Sequence, residues 1–332
     1  MIGHNTGLQE YGGYLPLELP AQRGEYFQTT DRHTVIDLDC GRSALLYSLE
    51  VLNPSRVCIP LYYCPSVKRA LVDAGYEVAY YEIDFDLLPK FDQLDLQKDD
   101  AIVLVNYFGL FDGSFAAQLP PQAKVVIDNC LAFFTPPVWK GNTINIYSCR
   151  KFFGVSDGAY AIGIDLPEPD YQVDVSSLRA AHLLTSLELG TNAGYKNSLE
   201  NERALGSDCK RMSVLTHRIL SSVDYDGIQR KRLANYLVLY NELSDLQRFN
   251  APSRPSSPHS YPLLPEKGLR DELVRQRVYI ARYWGDWIGT LKSKTPQWVY
   301  SNMMLCLPID QRYDSNDMYK LAQIVRSVFE RS

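Results

Sequence analysis

The sequence predicts an α/β fold in which a parallel sheet is covered by helices on both faces. Two observations lead to this prediction. Short strand-like runs alternate with helical stretches through the first half of the chain, which is the pattern of strand–helix–strand units. The central runs Ala101–Asn106 and Ala123–Ile127 are apolar almost throughout, as expected of strands that are buried on both faces. Ligands of such sheets bind beyond the carboxyl ends of the strands.

Composition limits the possible functions. The chain has 332 residues, of which 45% are hydrophobic, and this is enough for a large core and two domains. The net charge is −5 without a basic block, so nucleic acid and anionic membranes are poor partners. The seven cysteines are scattered and form no CxxC pair, which predicts reduced thiols rather than disulfides or a zinc site. With no signal peptide or membrane-spanning run visible, we expect a cytoplasmic protein.

The first elements suggest an arm followed by an anion site. Residues 1–34 are polar and rich in turn residues, with one short alternating stretch, Tyr14–Leu19. The strand Val35–Asp39 follows, and then Gly41-Arg42-Ser43 opens an apolar helix. A helix that starts in this way offers free backbone N–H groups and the positive end of its dipole, which suit a phosphate. An ordinary capped helix fits the same stretch.

The next unit is a strand, a helix and a strand. We predict them at Val57–Pro60, Ser66–Gly75 and Glu77–Ile83, and the helix ends on a glycine. Tyr62 and Tyr63 follow the end of the first strand, so either ring could stack on a flat cofactor. Aromatic residues of the core are the alternative in a chain with 23 tyrosines.

A lysine and an aspartate stand at two further strand ends. Asp128 ends the apolar run before it, and Lys151 lies in a glycine-bearing connection between the predicted strands Asn142–Ile146 and Ala161–Gly163. Ammonium is costly to desolvate, so a lysine between buried strands is expected to be paired or reactive. A lysine, an acid at a strand end and a phosphate-type helix start are the three anchors of a pyridoxal phosphate (PLP) site.

The second half of the chain is helical at first. Periodic apolar positions predict helices at Ser176–Leu189, Asn201–Ser222 and Gln229–Leu246, the last of which would join two domains. A stretch rich in proline and serine, 248–262, predicts a loop or linker.

A small α/β domain is predicted after this linker. Its elements are the helix Lys267–Gln276, the strands Val278–Arg282 and Met303–Pro308, and the helix Ser315–Arg331. Arg282, Tyr283 and Trp284 are candidate pocket residues, although a role in folding or at the surface fits them as well. We therefore expect an N-terminal arm (1–34), a large domain (35–228) and a small C-terminal domain (229–332) that begins with the long helix.

Several segments together resemble a known family, the DegT/DnrJ/EryC1 aminotransferases of PLP fold type I. They occur in the family's order: Gly12–Tyr14 with Leu17–Leu19, Gly41–Ala44, Ile59–Tyr63, Val105–Gly109, Val126–Asp128 and Ser148–Gly158. The resemblance implies a large domain with a mostly parallel seven-stranded sheet between helices, plus a small C-terminal α/β domain. It also implies a PLP cofactor, a homodimer with shared active sites, an amino-acid donor and a keto or aldehyde acceptor. Better-known members aminate keto-sugars attached to nucleotides.

The resemblance assigns roles to nine residues. Lys151 would bind the cofactor as a Schiff base and shuttle protons. Asp128 would face the pyridine nitrogen and keep it protonated, since unit charges about 4 Å apart attract by roughly 4 kcal/mol at an effective dielectric constant of about 20. The remaining cofactor-binding candidates are Gly41, Arg42, Ser43, Tyr63, Asn106, Ser148 and Lys196. Lys196 lies in a segment that resembles a family loop reaching into the partner subunit's site.

Two departures from the family pattern bear on the chemistry. Asn106 stands where the family usually has histidine, and Leu131 stands where it has glutamine or histidine near the ring hydroxyl. These departures leave other PLP chemistry open, namely dehydration, decarboxylation or acyl condensation. A non-catalytic protein with the PLP fold is a third possibility, although a retained lysine–aspartate pair speaks against it.

Overall fold

The structure is a computed structural model that describes residues 15, 17–20, 23–206, 208–285 and 293–331. A seven-stranded sheet organises it, with the strand order β1-β7-β6-β5-β4-β2-β3. The strands are β1 (Thr34–Leu38), β2 (Arg56–Pro60), β3 (Glu77–Tyr81), β4 (Ala101–Val105), β5 (Lys124–Asp128), β6 (Thr143–Ser148) and β7 (Ala159–Gly163). All neighbours from β6 to β3 are parallel, and β7 is antiparallel to both β6 and β1. The predicted mostly parallel sheet is confirmed.

The register of the sheet aligns the strand ends that matter for the site. Val105 of β4 pairs with Asp128 of β5, and Asp128 pairs with Ile146 of β6. Every residue of β4 and β6 is buried, because these strands are covered on both faces. Residues that end or follow parallel strands therefore meet at one edge, as expected for a ligand site in this architecture.

Nine helices are described in addition to short 3₁₀ turns. They are α1 (Gly41–Leu52), α2 (Pro65–Asp73), α3 (Ala181–Leu189), α4 (Tyr195–Ala204), α5 (Val214–Leu220), α6 (Tyr225–Leu243), α7 (Arg270–Arg275), α8 (Pro296–Met303) and α9 (Ser315–Arg331). No helix in these ranges has both the length and the apolar character that crossing a membrane requires.

The predicted helix Asn201–Ser222 is wrong in its middle. The chain leaves α4 after Ala204 and turns at Gly206, whose φ is +73°. Helix α5 starts afresh after Ser213, whose side chain accepts a hydrogen bond from the backbone N–H of Thr216. A serine N-cap is a readable start signal, but the apolar spacing of the surrounding residues concealed it.

The small sheet also differs from the prediction. It has two antiparallel strands, β8 (Ser260–Leu263) and β9 (Leu305–Pro308), whereas the predicted strand Val278–Arg282 has no regular structure. Arg277 has a φ of +61°, which turns the chain out of an extended path just before this segment. Helix α8 was not predicted, although Thr295 and Pro296 form a good helix start.

The N-terminal arm is described only in part. Gly12–Tyr14 lie outside the described residues, and Leu17–Leu19 form no strand. Helix α6 corresponds to the predicted long helix and packs against both β8 and α9. It begins earlier than predicted because the Asp224 side chain caps it by accepting a hydrogen bond from Gly227. The domain boundaries stay a prediction.

Candidate active site

A pocket with about 830 Å³ of empty space, counted out to its mouth, lies where α1 begins and where β4, β5 and β6 end. It brings together six of the nine predicted site residues: Gly41, Arg42, Tyr63, Asp128, Ser148 and Lys151. These residues are spread over more than a third of the sequence. The parallel register of the sheet brings the strand ends together, so the pocket is a product of the topology.

The N-terminus of α1 forms one wall of the pocket. Cys40, the residue before the helix, makes no capping hydrogen bond through its side chain within the described chain. Gly41 lies so close to Cys130 that a Cβ atom there would be 2.8 Å from the Cys130 Sγ. Uncapped N–H groups beside a residue without a side chain leave room for an anion at the positive end of the helix.

The side chains that follow Gly41 point in different directions. The Arg42 guanidinium donates to Ser66 Oγ at 3.2 Å and to the Leu205 carbonyl at 2.6 Å, so Arg42 ties α1 to α2 and to the turn after α4. Ser43 is buried and does not line the pocket, with its Oγ 3.4 Å from the Cys40 Sγ. The Ser43 side chain therefore packs against Cys40 at the helix start and does not face the pocket.

Lys151 is not buried, contrary to the expectation from sequence. It ends a 3₁₀ turn, Cys149–Lys151, and its exposed side chain lines the pocket. The next two residues, Phe152 and Phe153, are buried in an aromatic cluster and anchor the backbone of the loop. The cost of desolvating an ammonium group is thus largely avoided, while the Lys151 position is still fixed by its neighbours.

The Asp157-Gly158 pair holds the far side of this loop. The fully buried Asp157 carboxylate accepts hydrogen bonds from the Ser213 N–H at 2.7 Å, from Ser213 Oγ at 2.8 Å and from Thr216 Oγ1. Gly158 has a φ of +115°, which disfavours any residue with a side chain. The pair therefore locks the Lys151 loop onto the start of α5.

The C-terminal half holds the near side of the loop, which sequence reasoning missed. Gln311 Nε2 donates to the Phe152 carbonyl at 2.8 Å. Arg232 of α6 donates to Gln311 Oε1 at 3.2 Å and to the His259 carbonyl at 3.0 Å, and its guanidinium lies 4.5 Å from the centre of the Phe152 ring. Burial lowers the pKa of Arg232 to about 10. No local sequence signal linked these residues to Lys151.

Asp128 is buried, and both of its carboxylate oxygens are engaged. Oδ1 accepts a hydrogen bond from the Cys130 N–H at 2.8 Å, and Oδ2 accepts one from the Tyr63 hydroxyl. Burial, reinforced by the neighbouring Asp128 carboxylate, raises the pKa of Tyr63 well above its usual value, so the phenol stays protonated and acts as the donor.

Three predicted residues lie outside the pocket lining. Ser43 is the first. Asn106 is fully buried and holds the loop after β4, donating to the Phe111 carbonyl and to Asn129 Oδ1, both at 3.0 Å. Lys196 is exposed on α4. Leu131, in contrast, does line the pocket.

An ion pair at the pocket was not predicted. Arg150 Nη2 binds Glu202 Oε1 of α4, and both residues line the pocket. The buried Arg150 Nε has no hydrogen-bond partner among the described residues. Of the candidates from the small domain, Tyr283 and Trp284 line the pocket.

Comparison with known proteins identifies the architecture. No protein-family model and no curated protein sequence matches the chain. Among solved structures, the aminotransferase TlmJ from Streptoalloteichus hindustanus is 18% identical with a TM-score of 0.63, and the match covers 90% of this chain and 86% of TlmJ. A DegT DnrJ EryC1 StrS aminotransferase from Brucella abortus is 14% identical with a TM-score of 0.61, over 88% of this chain and 85% of that one. The chain has the type I fold of PLP-dependent transferases.

A third match with this aminotransferase fold has been solved with its cofactor. Spr1654 from Streptococcus pneumoniae, in its PLP form, is 14% identical with a TM-score of 0.64. The match covers 90% of this chain and 87% of Spr1654. At identities of 14 to 18% the likeness is one of fold, and the chemistry of this chain must be argued from its own residues.

Proposed function

We propose that this protein is a PLP-dependent aminotransferase and a divergent relative of the DegT/DnrJ/EryC1 enzymes. In this proposal it moves an amino group from an amino-acid donor to a keto or aldehyde acceptor. One observation carries the proposal: a single pocket contains an exposed lysine, Lys151, a buried carboxylate, Asp128, and the uncapped N-terminus of α1. These groups correspond to the three charged or reactive parts of the cofactor.

The residues present fit PLP. The phosphate would be held by the N–H groups at the start of α1 and by Ser148, and the unpartnered Arg150 Nε supports an anion on this side of the pocket. The buried Asp128 would pair with the protonated pyridine nitrogen. When bound, PLP supplies an electron sink for the electrons left at the substrate's α-carbon after its proton is removed.

The chain's own residues would handle the proton and exclude water. Lys151 Nζ is free to reach the α-carbon because its side chain is exposed to the pocket while its backbone is fixed by Phe152. It would take the α-proton and return a proton to the carbon on the other side of the transferred nitrogen. Leu131, Tyr283 and Trp284 form apolar or aromatic parts of the lining, which limit the access of water to the reacting carbon.

The absorption spectrum of the purified protein with added PLP tests the proposal. We expect a visible band that Lys151→Ala lacks and that glutamate bleaches. Lys320→Ala, which alters a surface lysine of α9, is the control and should behave as the wild type. A band that no amino donor changes would move the function to another PLP reaction, and no band at any PLP concentration would contradict the proposal altogether.

A second candidate function is a different PLP-dependent reaction. It is favoured by Leu131, which gives the pocket an apolar side chain where the resembled family has a polar one near the ring hydroxyl. Release of ammonia or carbon dioxide from an amino-acid substrate, without formation of the pyridoxamine form, would distinguish it from amino transfer.

For the aminotransferase, the resemblance leads us to propose a keto-sugar attached to a nucleotide as the acceptor.

We also propose that the protein is a homodimer. Helix α3 has no buried residue within the described chain, although it is rich in leucine. Leu187 is 85% exposed and Leu189 is 73% exposed, and Leu178 just before the helix is 89% exposed. Several exposed leucines on one short segment indicate an interaction surface. The contact of Lys196 with the partner's site remains a prediction.

Sedimentation tests the homodimer. We expect a dimeric wild type and a monomeric Leu187→Glu variant. Val72→Glu changes a 54% exposed apolar residue on α2 and should leave the dimer intact. A monomeric wild type would contradict the proposal.

We also propose that the protein is located in the cytoplasm, because all seven cysteines are free thiols.

A further inference from the structure

Glu202 is a charged residue of the pocket to which the aminotransferase proposal gives no role. Arg150 Nη2 donates to Glu202 Oε1, and both side chains line the pocket. Arg150 lies in the 3₁₀ turn that follows β6, whereas Glu202 belongs to α4 and is 52 residues further along the chain. A carboxylate at this wall repels the anionic groups that PLP and an amino-acid donor carry, so its presence there needs an explanation.

The two halves of this ion pair are held unequally. The Arg150 side chain is 14% exposed, whereas the Glu202 side chain is 42% exposed. The backbone beside Glu202 is fixed, because the buried Asn201 amide donates to the Ser156 carbonyl at 2.8 Å. The fold therefore brings Glu202 next to Arg150, but only the carboxylate can turn to water at little cost. An ion pair with one half this exposed adds little to stability.

The surroundings of the pair favour a negative charge. The buried Arg150 Nε has no hydrogen-bond partner among the described residues, so the guanidinium has donating capacity to spare. Burial alone would raise the pKa of Glu202, but Arg150, Lys151 and Arg42 outweigh it and lower the pKa. All three cations line the same pocket. They stabilise a negative charge at this position, whichever group supplies it.

We propose that Arg150 binds an oxyanion of the ligand in this pocket and that Glu202 is its internal competitor. The oxyanion, a phosphate or a carboxylate, takes the place of the Glu202 carboxylate on the guanidinium, and Glu202 turns to solvent. The planar fork of an arginine binds either group through two parallel hydrogen bonds. This inference deepens the proposed function and rests on it, since PLP supplies a phosphate and the donor supplies a carboxylate.

The consequence is that the two halves of the pair act on binding with opposite sign. Loss of the Arg150 guanidinium removes a charged donor from the bound oxyanion and weakens binding. Loss of the Glu202 charge removes both a competitor and a repulsion, so it strengthens binding. A purely structural ion pair predicts otherwise, because either substitution breaks the same contact and neither can tighten the ligand.

The experiment is isothermal titration calorimetry of the wild type, Arg150→Met and Glu202→Gln with PLP, pyridoxal and inorganic phosphate. For PLP we expect about tenfold weaker binding by Arg150→Met and about threefold tighter binding by Glu202→Gln. Pyridoxal has the same aldehyde but no phosphate, so all three proteins should bind it equally. If Arg150→Met does not fold, Arg150→Lys takes its place, since it keeps the charge but not the fork.

A second titration separates the phosphate from the carboxylate. The proteins are saturated with PLP, and the concentration of glutamate that bleaches half of the visible band is measured. If the donor's carboxylate is the oxyanion, the PLP affinities coincide and this concentration rises in Arg150→Met and falls in Glu202→Gln. Asp245→Asn is the matched control, because it removes the acid of an arginine–aspartate pair outside the pocket lining. It should leave every titration unchanged.

Each outcome decides the inference. Opposite displacements with PLP but not pyridoxal, or with glutamate alone, support it and identify the oxyanion. Arg150→Met that binds no probe more weakly, Glu202→Gln that binds none more tightly, or equal displacements with PLP and pyridoxal overturn it. A wild type without a visible band contradicts the proposed function instead. Inorganic phosphate then decides the inference alone, by the same opposite displacements.

Discussion

The most quantitative prediction from this structure concerns the contribution of His217 to the free energy of unfolding. Its ring lies between two carboxylates: Nδ1 is 2.6 Å from Glu25 Oε1, and Nε2 is 3.4 Å from Asp37 Oδ2. His217 belongs to α5, Glu25 to the N-terminal arm and Asp37 to β1, so the imidazole links three separate segments. We consider the substitution His217→Gln, which keeps the approximate shape and polarity of the side chain but cannot carry a positive charge.

The size of the effect follows from the pKa. Burial by itself would lower the pKa of His217, but the hydrogen bonds to Asp37 and Glu25 outweigh it and raise the pKa from 6.5 to about 10. A pKa shift of one unit corresponds to about 1.4 kcal/mol, so the shift of His217 from 6.5 to about 10 corresponds to roughly 4 to 5 kcal/mol of stability. The side chain is 20% exposed, and solvent screening reduces this to about 3 kcal/mol.

The sign is set by proton linkage. The folded protein binds the His217 proton more tightly than the unfolded chain does, so the stabilisation is complete below pH 6.5 and is lost as the pH rises towards 10. Between these values the free energy of unfolding contributed by His217 falls with increasing pH, by at most about 1.4 kcal/mol per unit. His217→Gln should therefore cost about 3 kcal/mol at pH 6 and little at pH 10.

Urea unfolding at intervals between pH 6 and pH 10 measures this difference. His182→Gln is the control, because burial lowers the pKa of His182, so this ring contributes no stability that is lost as the pH rises. The gap between this control and the wild type should therefore not shrink between pH 6 and pH 10. If the gap between the wild type and His217→Gln is the same at pH 6 and pH 10, the two carboxylates do not hold a charged imidazole and the reasoning is refuted.

Three further predictions concern the pocket and its supports. Asp157→Ala removes a buried carboxylate that accepts three hydrogen bonds, so it should lower the free energy of unfolding by about 3 kcal/mol, measured as a lower urea midpoint. A loss under about 1 kcal/mol would contradict the role assigned to this residue. Gly41→Ala places a Cβ 2.8 Å from the Cys130 Sγ and should weaken PLP binding about tenfold, measured by titrating the protein with PLP. Gly268→Ala is the control, because its Cβ would have no atom within 4 Å, and it should leave the affinity unchanged. Equal effects of the two substitutions would argue against a cofactor at α1. Gln311→Ala removes the hydrogen bond to the Phe152 carbonyl, so it should lower the free energy of unfolding in urea by about 1 kcal/mol and weaken PLP binding a few-fold. An unchanged PLP affinity would show that the C-terminal half does not position the lysine loop.

The strands were predictable because their signals are local. β4 and β5 are apolar runs with few polar interruptions, and such runs can be satisfied only between two covered faces. The same property predicted that Asp128 would stand at the edge of the sheet, since a carboxylate ends the run. In contrast, the strand expected at Val278–Arg282 did not form, because β-rich composition does not provide a neighbouring strand to pair with.

Individual side chains were less predictable than the pocket they form. Lys151 was placed at the site by its surroundings in the sequence, but its exposure was not foreseen, since burial depends on how far the pocket opens to solvent. Asn106 occupies a strand end, as expected, yet its amide turns inwards to the loop after β4. The direction of a side chain is set by its contacts, and these come from other parts of the chain.

The sequence by itself therefore determined the α/β class, the order of the strands along the chain and the residue types at their ends, because each depends on neighbours a few positions away. Only the tertiary structure decided which distant groups meet: Tyr63 with Asp128, Arg150 with Glu202, and Gln311 with the loop of Lys151. These contacts join segments that are 52 to 159 residues apart. Their physical origin is the packing of whole elements against one another, and no local pattern specifies it.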